Sequence, residues 1–255
     1  LVSRDVTPLG DYALRGVGFI GGQWTEEEVL PLTGAPATEL RGVHTPFTSP
    51  VNFPMRLANA NYYDALSGGG STILHVTPAQ HRDTNIADIF STRRTFSDMK
   101  FRLYYSGNTV EYEDENTGVL TQPALSGPPT MSGVRAVTDG STVEFEARVV
   151  GDPSAAIASV WVTYTAYTEG VDASGEWVSV ELSQTDNDST LWTSAPQVTP
   201  KPAGQRIDYM VQAVSGFGLL SLDDNFGSYY TIPASGSTAP VEPVSTLMAV
   251  SVFND

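Results

Sequence analysis

Hydrophobic and polar residues alternate most regularly between residues 141 and 232. Apolar side chains recur at every second position in residues 141–150, 158–165, 176–182 and 206–214, and residues 228–232 favour a further strand. Glycine, proline, aspartate and asparagine separate these segments and favour turns. A period of two predicts half-buried strands, with one face on the core and the other in solvent. Several such strands separated by turns predict an antiparallel β-sandwich.

One of these segments carries a sequence motif. Residues 209–218 read Tyr-Met-Val-Gln-Ala-Val-Ser-Gly-Phe-Gly, which is the pattern Tyr-x-Val-x-Ala-x-x-x-x-Gly. This pattern resembles the penultimate strand and turn of fibronectin type III and other bacterial immunoglobulin-like modules. The resemblance covers residues 129–233 and implies a sandwich in which Tyr209 packs near a corner and Trp161 or Trp177 fills the core. Because such modules have many roles, it implies no particular activity.

The first half of the chain alternates less regularly. We expect strands at residues 12–20, 28–32, 51–57, 71–77 and 99–105, and one or two helical turns at residues 84–91 with Thr84 as N-cap. The chain is therefore predicted to be all-β, with two β-sandwich-type domains and an extra strand near its C-terminus.

Shifts in composition divide the chain into five regions. We predict a β-rich N-terminal domain at 1–110, an acidic and proline-rich linker at 111–128, the immunoglobulin-like or fibronectin type III-like sandwich at 129–233, a proline- and serine-rich linker at 234–244, and a β-strand at 245–255. Prolines in the first linker restrict its backbone and make it fairly stiff.

Charge and residue usage exclude some classes of function. The formal net charge is −16 and cysteine is absent. A surface this acidic repels phosphate backbones and anionic lipids, so we predict no nucleic-acid partner. No apolar run is long enough to insert into a membrane. Residues 1–5 lack the features of a signal peptide, and we read the chain as a processed product or a fragment. The composition is usual for exported prokaryotic β-proteins and predicts an extracellular or cell-surface location.

Two acidic turns are candidate calcium sites. Asp186 and Asp188 form an Asp-x-Asp pair, and Asp223 and Asp224 are adjacent in a later turn. Calcium requires six to eight oxygen ligands, which clustered carboxylates supply. Solvated turns are the alternative, and we expect no other cofactor. His75 and His81 with Asp83 lack a tight metal-binding spacing, so we expect structural roles for them.

No catalytic motif is present in the sequence. There is no Gly-x-Ser-x-Gly turn around a nucleophile and no phosphate-binding loop. We therefore predict a non-enzymatic structural, assembly or adhesion module. The alternative is a carbohydrate-binding accessory region of a secreted hydrolase, with Trp192 as the glycan contact, because an aromatic face suits a sugar ring.

The segment at residues 245–255 strongly favours a β-strand, although no domain follows it. Its apolar residues lie on both faces of the expected strand: Leu247, Met248, Val250, Val252 and Phe253. An unpaired apolar strand exposes backbone groups and lowers solubility. Three explanations are open: the segment begins a further domain, it packs on its own chain, or it pairs with a sheet edge of a neighbouring copy. The predicted partners are therefore other copies of the chain or neighbouring domains of its parent protein, with a glycan as the alternative.

Overall fold

The computed structural model describes residues 1–8, 10, 12–32, 48–64, 70–83, 90–107, 109–114, 118–123, 126–170, 172–195 and 199–234. All regular structure in these residues is β-strand, which confirms the all-β class and is compatible with a β-sandwich. Within the same ranges there is no helix of the length and apolarity needed to cross a bilayer. Most of the predicted helical turn at 84–91 lies outside the described residues.

Seventeen strands occur in the described residues. They are β1 (Val2–Asp5), β2 (Tyr12–Val29), β3 (Ala58–Asp64), β4 (Gly70–Val76), β5 (Ala79–Arg82), β6 (Ser91–Gly107), β7 (Thr109–Asp114), β8 (Gly118–Pro123), β9 (Thr130–Thr138), β10 (Thr142–Val150), β11 (Ile157–Tyr167), β12 (Ser174–Gln184), β13 (Leu191–Thr193), β14 (Thr199–Pro200), β15 (Arg206–Ser215), β16 (Leu220–Asp223) and β17 (Tyr230–Ile232).

Antiparallel pairing joins these strands into three sheets. The largest follows the order β14-β10-β13-β12-β11-β15-β16, with β9 on β10 and β17 on β15. From β12 it continues through β2 and β6 to β5, so that strands of the first half extend the sheet of the second. A three-stranded sheet has the order β1-β4-β3, and β7 and β8 form a hairpin.

The apolar positions predicted in the second half do form a core. Alternate residues of β10 pack against alternate residues of β11 and β15, although β10 is not hydrogen-bonded to either strand. They therefore face each other as two layers. This apolar cluster contains Val134, Val143, Phe145, Ala147, Val149, Val160, Val162, Leu182, Ile207, Tyr209, Val211, Ala213, Tyr230 and Ile232.

Strand β15 departs from the half-buried pattern that we predicted. Its polar positions do not face solvent, because Asp208 and Gln212 are 2% and 1% exposed. The reason is a third layer, since β2 and β6 pair along most of their length as a ribbon and cover the other face of β11 and β15. Trp161 and Trp177 are buried with the ribbon and do not join the apolar cluster, so the expectation that one of them fills the sandwich core is wrong.

Glycines allow the ribbon to approach this closely. A Cβ added to Gly18 would lie 2.7 Å from Cζ2 of Trp161, and one added to Gly16 would lie 2.8 Å from Cβ of Leu220. Both distances are too short for real contacts, so only glycine fits here. A second cluster forms at this contact and draws residues from both halves of the chain: Phe19, Trp24, Leu57, Phe96, Tyr167, Ala173, Trp177, Met210 and Tyr229.

The predicted domain limits stay predictions, but the structure adds contacts across them. The ladder between β2 and β12 pairs Gly22 with Trp177 and Thr25 with Ser174. Most of the segment predicted as the first linker forms the β7–β8 hairpin.

Candidate functional site

Two pairs of opposite charges lie side by side where β2 pairs with β6. The register places Glu26 opposite Arg94 and Glu27 opposite Arg93. Successive side chains of a strand point to opposite faces, so one pair faces the protein interior and the other faces solvent. The side chain of Arg94 is 2% exposed, whereas that of Arg93 is 48% exposed.

Arg94 is held by charges and by aromatic rings. Its Nε donates to Oε1 of Glu26 at 2.8 Å, and its Nη2 lies 3.6 Å from Oδ2 of Asp208. The guanidinium carbon lies 4.0 Å from the centroid of the Trp24 ring, within the range of a cation–π interaction. Burial opposes the charged form, but attraction by Glu26 and Asp208 outweighs it and raises the pKa of Arg94. Nη1 has no hydrogen-bond partner among the described residues.

Asp208 connects Arg94 to a second arginine. It accepts hydrogen bonds from Nε of Arg206 at 2.7 Å and from the hydroxyl of Tyr167 at 2.9 Å. Arg206 in turn donates through Nη1 to Glu169 at 2.8 Å. Burial, and then the charge of Asp208, raise the pKa of Tyr167, which keeps its hydroxyl protonated as a donor. We call the set Glu26, Arg94, Asp208, Arg206 and Glu169 the arginine network.

A cleft opens beside the arginine network. Its volume is about 310 Å³, and it is lined by Glu26, Glu27, Glu28, Arg82, Thr92, Tyr167, Glu169, Gly170, Asp172 and Arg206. Three of the lining carboxylates, Glu26, Glu27 and Glu169, already form ion pairs with arginines. Each of these ion pairs lies within one half of the chain, and the pair between Arg94 and Asp208, at 3.6 Å, joins the halves beside the cleft. The cleft is therefore the edge of a structural junction.

A buried glutamine holds the ribbon at a second point. Oε1 of Gln212 accepts from N–H of Phe19 at 2.9 Å, and Nε2 of the same amide donates to O of Phe19 at 2.6 Å. Oγ1 of Thr163 also donates to this carbonyl, at 2.9 Å. The amide thus supplies the donor and the acceptor that a neighbouring strand would supply. We call Gln212 with Thr163 the glutamine clamp.

A loop between β16 and β17 forms the third contact between the halves. Asn225, Phe226, Gly227 and Tyr229 all have positive φ angles, between 53° and 80°. N–H of Asn52 donates to O of Gly227 at 3.0 Å, and the Tyr229 hydroxyl donates to Oε1 of Gln80 at 2.9 Å. Left-handed backbone at non-glycine residues costs energy, which these contacts offset. Burial raises the pKa of Tyr229 to about 12.

The histidines named from the sequence lie in different sheets. His75 in β4 bonds Oγ of Ser3 at 2.9 Å and the hydroxyl of Tyr63 at 3.2 Å. His81 in β5 is buried, and burial lowers the pKa of its imidazole. Asp83 accepts a hydrogen bond from Ser91 at 3.2 Å. This arrangement supplies hydrogen bonds within the fold rather than a shared set of metal ligands.

Three of the four candidate calcium ligands bond to other groups of the protein. Asp188 forms an ion pair with Arg148 at 2.6 Å, and Thr190 and Arg148 together lower its pKa to about 2. Asp223 accepts from the Tyr230 hydroxyl at 3.0 Å, and Asp224 accepts from N–H of Gly227 at 3.1 Å. No group of three or more His, Cys, Asp or Glu residues suited to a metal occurs in the described part of the chain. Calcium at Asp186, Asp188, Asp223 and Asp224 stays a prediction.

The remaining named residues have separate outcomes. Trp192 in β13 is partly buried and packs against the apolar cluster, so only part of its indole face is open. Its role as a glycan contact stays a prediction. The strand-forming segment with Leu247, Met248, Val250, Val252 and Phe253 lies outside the described residues.

Sequence reasoning missed the arginine network and the glutamine clamp. The first signal in the sequence is charge: residues 26–28 are Glu-Glu-Glu and residues 93–94 are Arg-Arg, and antiparallel pairing sets these opposite charges against each other. A second signal is the spacing of Gly16 and Gly18, which leaves two alternate positions of β2 without a side chain. The burial of Gln212 could not be predicted, because a polar residue that alternates with apolar residues in a strand is expected to face solvent.

The charged side chains of the arginine network neutralise one another. The acids and bases of the junction are paired with one another, and its amide and hydroxyl groups bond to main-chain atoms of the ribbon. The chain matches no protein-family model, no curated protein and no solved structure.

Proposed function

We propose that this chain is a non-enzymatic structural module of a secreted or surface prokaryotic protein, where it acts as a spacer or assembly unit. The observation that carries the proposal is the interlocking of its two halves. The ribbon of β2 and β6 shares a sheet with β12 and bonds to β15 through the glutamine clamp. A spacer must resist separation of its parts, and buried ladders and ion pairs between the halves supply that resistance.

The immunoglobulin-like or fibronectin type III-like character of the second half belongs to this proposal. It is supported by the motif at residues 209–218 and by the burial of Tyr209, Val211 and Ala213 in the apolar cluster. The position of Trp161 and Trp177 on the other face is a departure from that family, and the ribbon accounts for it. The extracellular location rests on composition alone.

Assembly through the strand-forming segment at residues 245–255 is the second part of the proposal. The segment has apolar residues on both faces and so needs a partner that covers both. A sheet edge supplies backbone bonds and side-chain contacts together, as in strand addition. The partner is then another copy of the chain.

Sedimentation velocity over a range of protein concentrations tests this. We expect the full chain to self-associate and a variant lacking residues 245–255 to sediment as a monomer. Identical sedimentation of the two proteins would contradict assembly through this segment. It would not bear on the spacer role, which is tested by how strongly the contacts between the halves stabilise the fold.

A further inference from the structure

Strand β3 has an open edge. Among the described residues it pairs with β4 on one side and with nothing on the other, because the sheet order is β1-β4-β3. The ladder with β4 runs through all seven residues of β3 without a register shift. An edge that is straight and regular offers a continuous row of backbone donors and acceptors.

The hydrogen bonds of Thr72 show which backbone groups face this open side. Its N–H donates to Oγ1 of Thr7 at 2.9 Å and its C=O accepts from N–H of Val6 at 2.9 Å, so its main-chain groups face the β1 side. Main-chain groups of successive residues point to opposite sides of a strand. The groups of Ile73 therefore face β3, and those of its partner Asn61 face β4. It follows that the N–H and C=O groups of Ala60 and Tyr62 point away from the sheet.

Other open edges are interrupted or carry charged residues or proline, such as Arg4 in β1, Glu111 in β7 and Pro123 in β8. Strand β9 pairs with β10 through a register shift, and Gly133 within it has a φ of 56°. Strands β16 and β17 both lie along β15 but are separated by the loop at residues 224–229. Bulges and breaks of this kind discourage pairing with another chain. The ladder of β3 has no bulge or break, the strand contains no proline, lysine or arginine, and its one charged residue, Asp64, is its last.

The two tyrosines of β3 extend on opposite faces of the sheet. Tyr62 is 67% exposed and Tyr63 is 49% exposed. An added strand would therefore find an aromatic ring on each face, and aromatic side chains favour β-branched and aliphatic cross-strand partners. Residues 245–253 read Ser-Thr-Leu-Met-Ala-Val-Ser-Val-Phe, which is uncharged and carries apolar side chains on both faces. The two surfaces match in length and in chemistry.

We propose that residues 245–253 of one copy add as a fourth strand to the β3 edge of a neighbouring copy. This rests on the proposed function, since it names the acceptor for the same assembly segment. Ten residues, 235–244, separate the segment from Ala234 and span about 33 Å when extended. Pro240 and Pro243 favour extended backbone, so the sequence favours a strand that reaches outward to another copy.

A proline at the open edge tests the acceptor in the full chain. Ala60→Pro removes an outward N–H and leaves the ladder with β4 intact, because edge positions tolerate proline. Ser3→Pro is the matched control: Ser3 pairs with His75 in register, so its main-chain groups face the open side of β1. We expect Ala60→Pro to sediment as a monomer, like the variant lacking residues 245–255, and Ser3→Pro to associate as the unmodified chain does. Thermal melting checks that each variant folds.

Disulfide cross-linking gives an independent readout, because the chain has no cysteine. Tyr62→Cys protein is mixed with Ala249→Cys or Val250→Cys protein, and Val2→Cys replaces Tyr62→Cys as the control. We expect cross-linked dimers only with Tyr62→Cys.

Three results would overturn the proposal. If deletion of residues 245–255 abolishes association but folded Ala60→Pro still associates, the acceptor is wrong and the assembly segment stands. If cross-links form within a chain carrying both cysteines but not between mixed chains, the pairing is intramolecular. If the deletion changes nothing, assembly by this segment and its acceptor fail together.

Discussion

The two faces of strands β11 and β15 are buried by different means. On one face, Val160, Val162 and Val211 pack against β10 in the apolar cluster. On the other, Thr163, Asp208 and Gln212 bond to the ribbon or to the arginine network. Apolar burial stabilises without regard to direction, whereas a buried polar group is stable only with its partner in place. The first face thus provides cohesion, and the second determines where the ribbon lies.

The arginine network should be the most sensitive part of the polar face. Arg94→Ala leaves the buried carboxylate of Asp208 and that of Glu26 with less compensating charge. Removing one partner of a buried ion pair costs about 3–5 kcal/mol, and we expect a loss of this size in the free energy of unfolding, measured by urea denaturation.

The chain offers a matched control at the adjacent residue. Arg93→Ala removes an ion pair with Glu27 in which both side chains are about half exposed, and such pairs contribute about 0–1 kcal/mol. Equal losses for Arg93→Ala and Arg94→Ala would mean that the polar face does not depend on buried charge.

Adding a side chain where the ribbon contacts β11 should lower the free energy of unfolding by less than Arg94→Ala does. Gly18→Ala places a Cβ within 2.7 Å of the Trp161 ring, so either the indole or the strand must move. Overpacking of this kind typically costs about 1–3 kcal/mol. Gly107→Ala on the partner strand has no atom within 4 Å of the added Cβ and should leave the unfolding midpoint nearly unchanged. A stable Gly18→Ala variant with an unchanged midpoint would show that the ribbon is not tightly seated.

The sequence could predict the apolar face but not the polar one. In β10 the alternation of Val143 and Phe145 with charged residues is visible locally, because the strand covers the core with one face and meets solvent with the other. In β15 the same period misleads at Gln212, because its partner Phe19 is 193 residues away. When a strand is covered by residues far away in the sequence, its own hydrophobic pattern does not show that the second face is buried.

In the candidate site, too, features made by neighbouring residues could be predicted and those made by distant residues could not. The acidic turns around Asp188 and Asp223 were recognisable because turn chemistry is local. The arginine network was not, since Glu26, Arg94 and Asp208 come from three strands that only the sheet order brings together. The opposite charges at residues 26–28 and 93–94 were a usable sign of pairing, but they did not indicate which pair would be buried.

The smallest effect on stability is expected in an exposed turn, where a carboxylate bonds the backbone of its own turn and contacts neither buried face. Asp139 is exposed, and hydrogen bonds from N–H of Ser141 and of Thr142 lower its pKa from 3.8 to about 2. Because the folded pKa lies below the unfolded one, the stabilisation is complete above about pH 4 and is lost as the pH falls toward 2. The difference in stability between the unmodified chain and Asp139→Asn should therefore shrink over this interval.

An NMR titration of the Asp139 carboxyl carbon measures the same effect directly. We expect a midpoint near pH 2 and a higher one in Ser141→Ala, which loses the side-chain hydrogen bond of 3.0 Å but keeps both main-chain donors. An Asp139 midpoint near 3.8 in the unmodified chain would exclude the hydrogen-bonded turn.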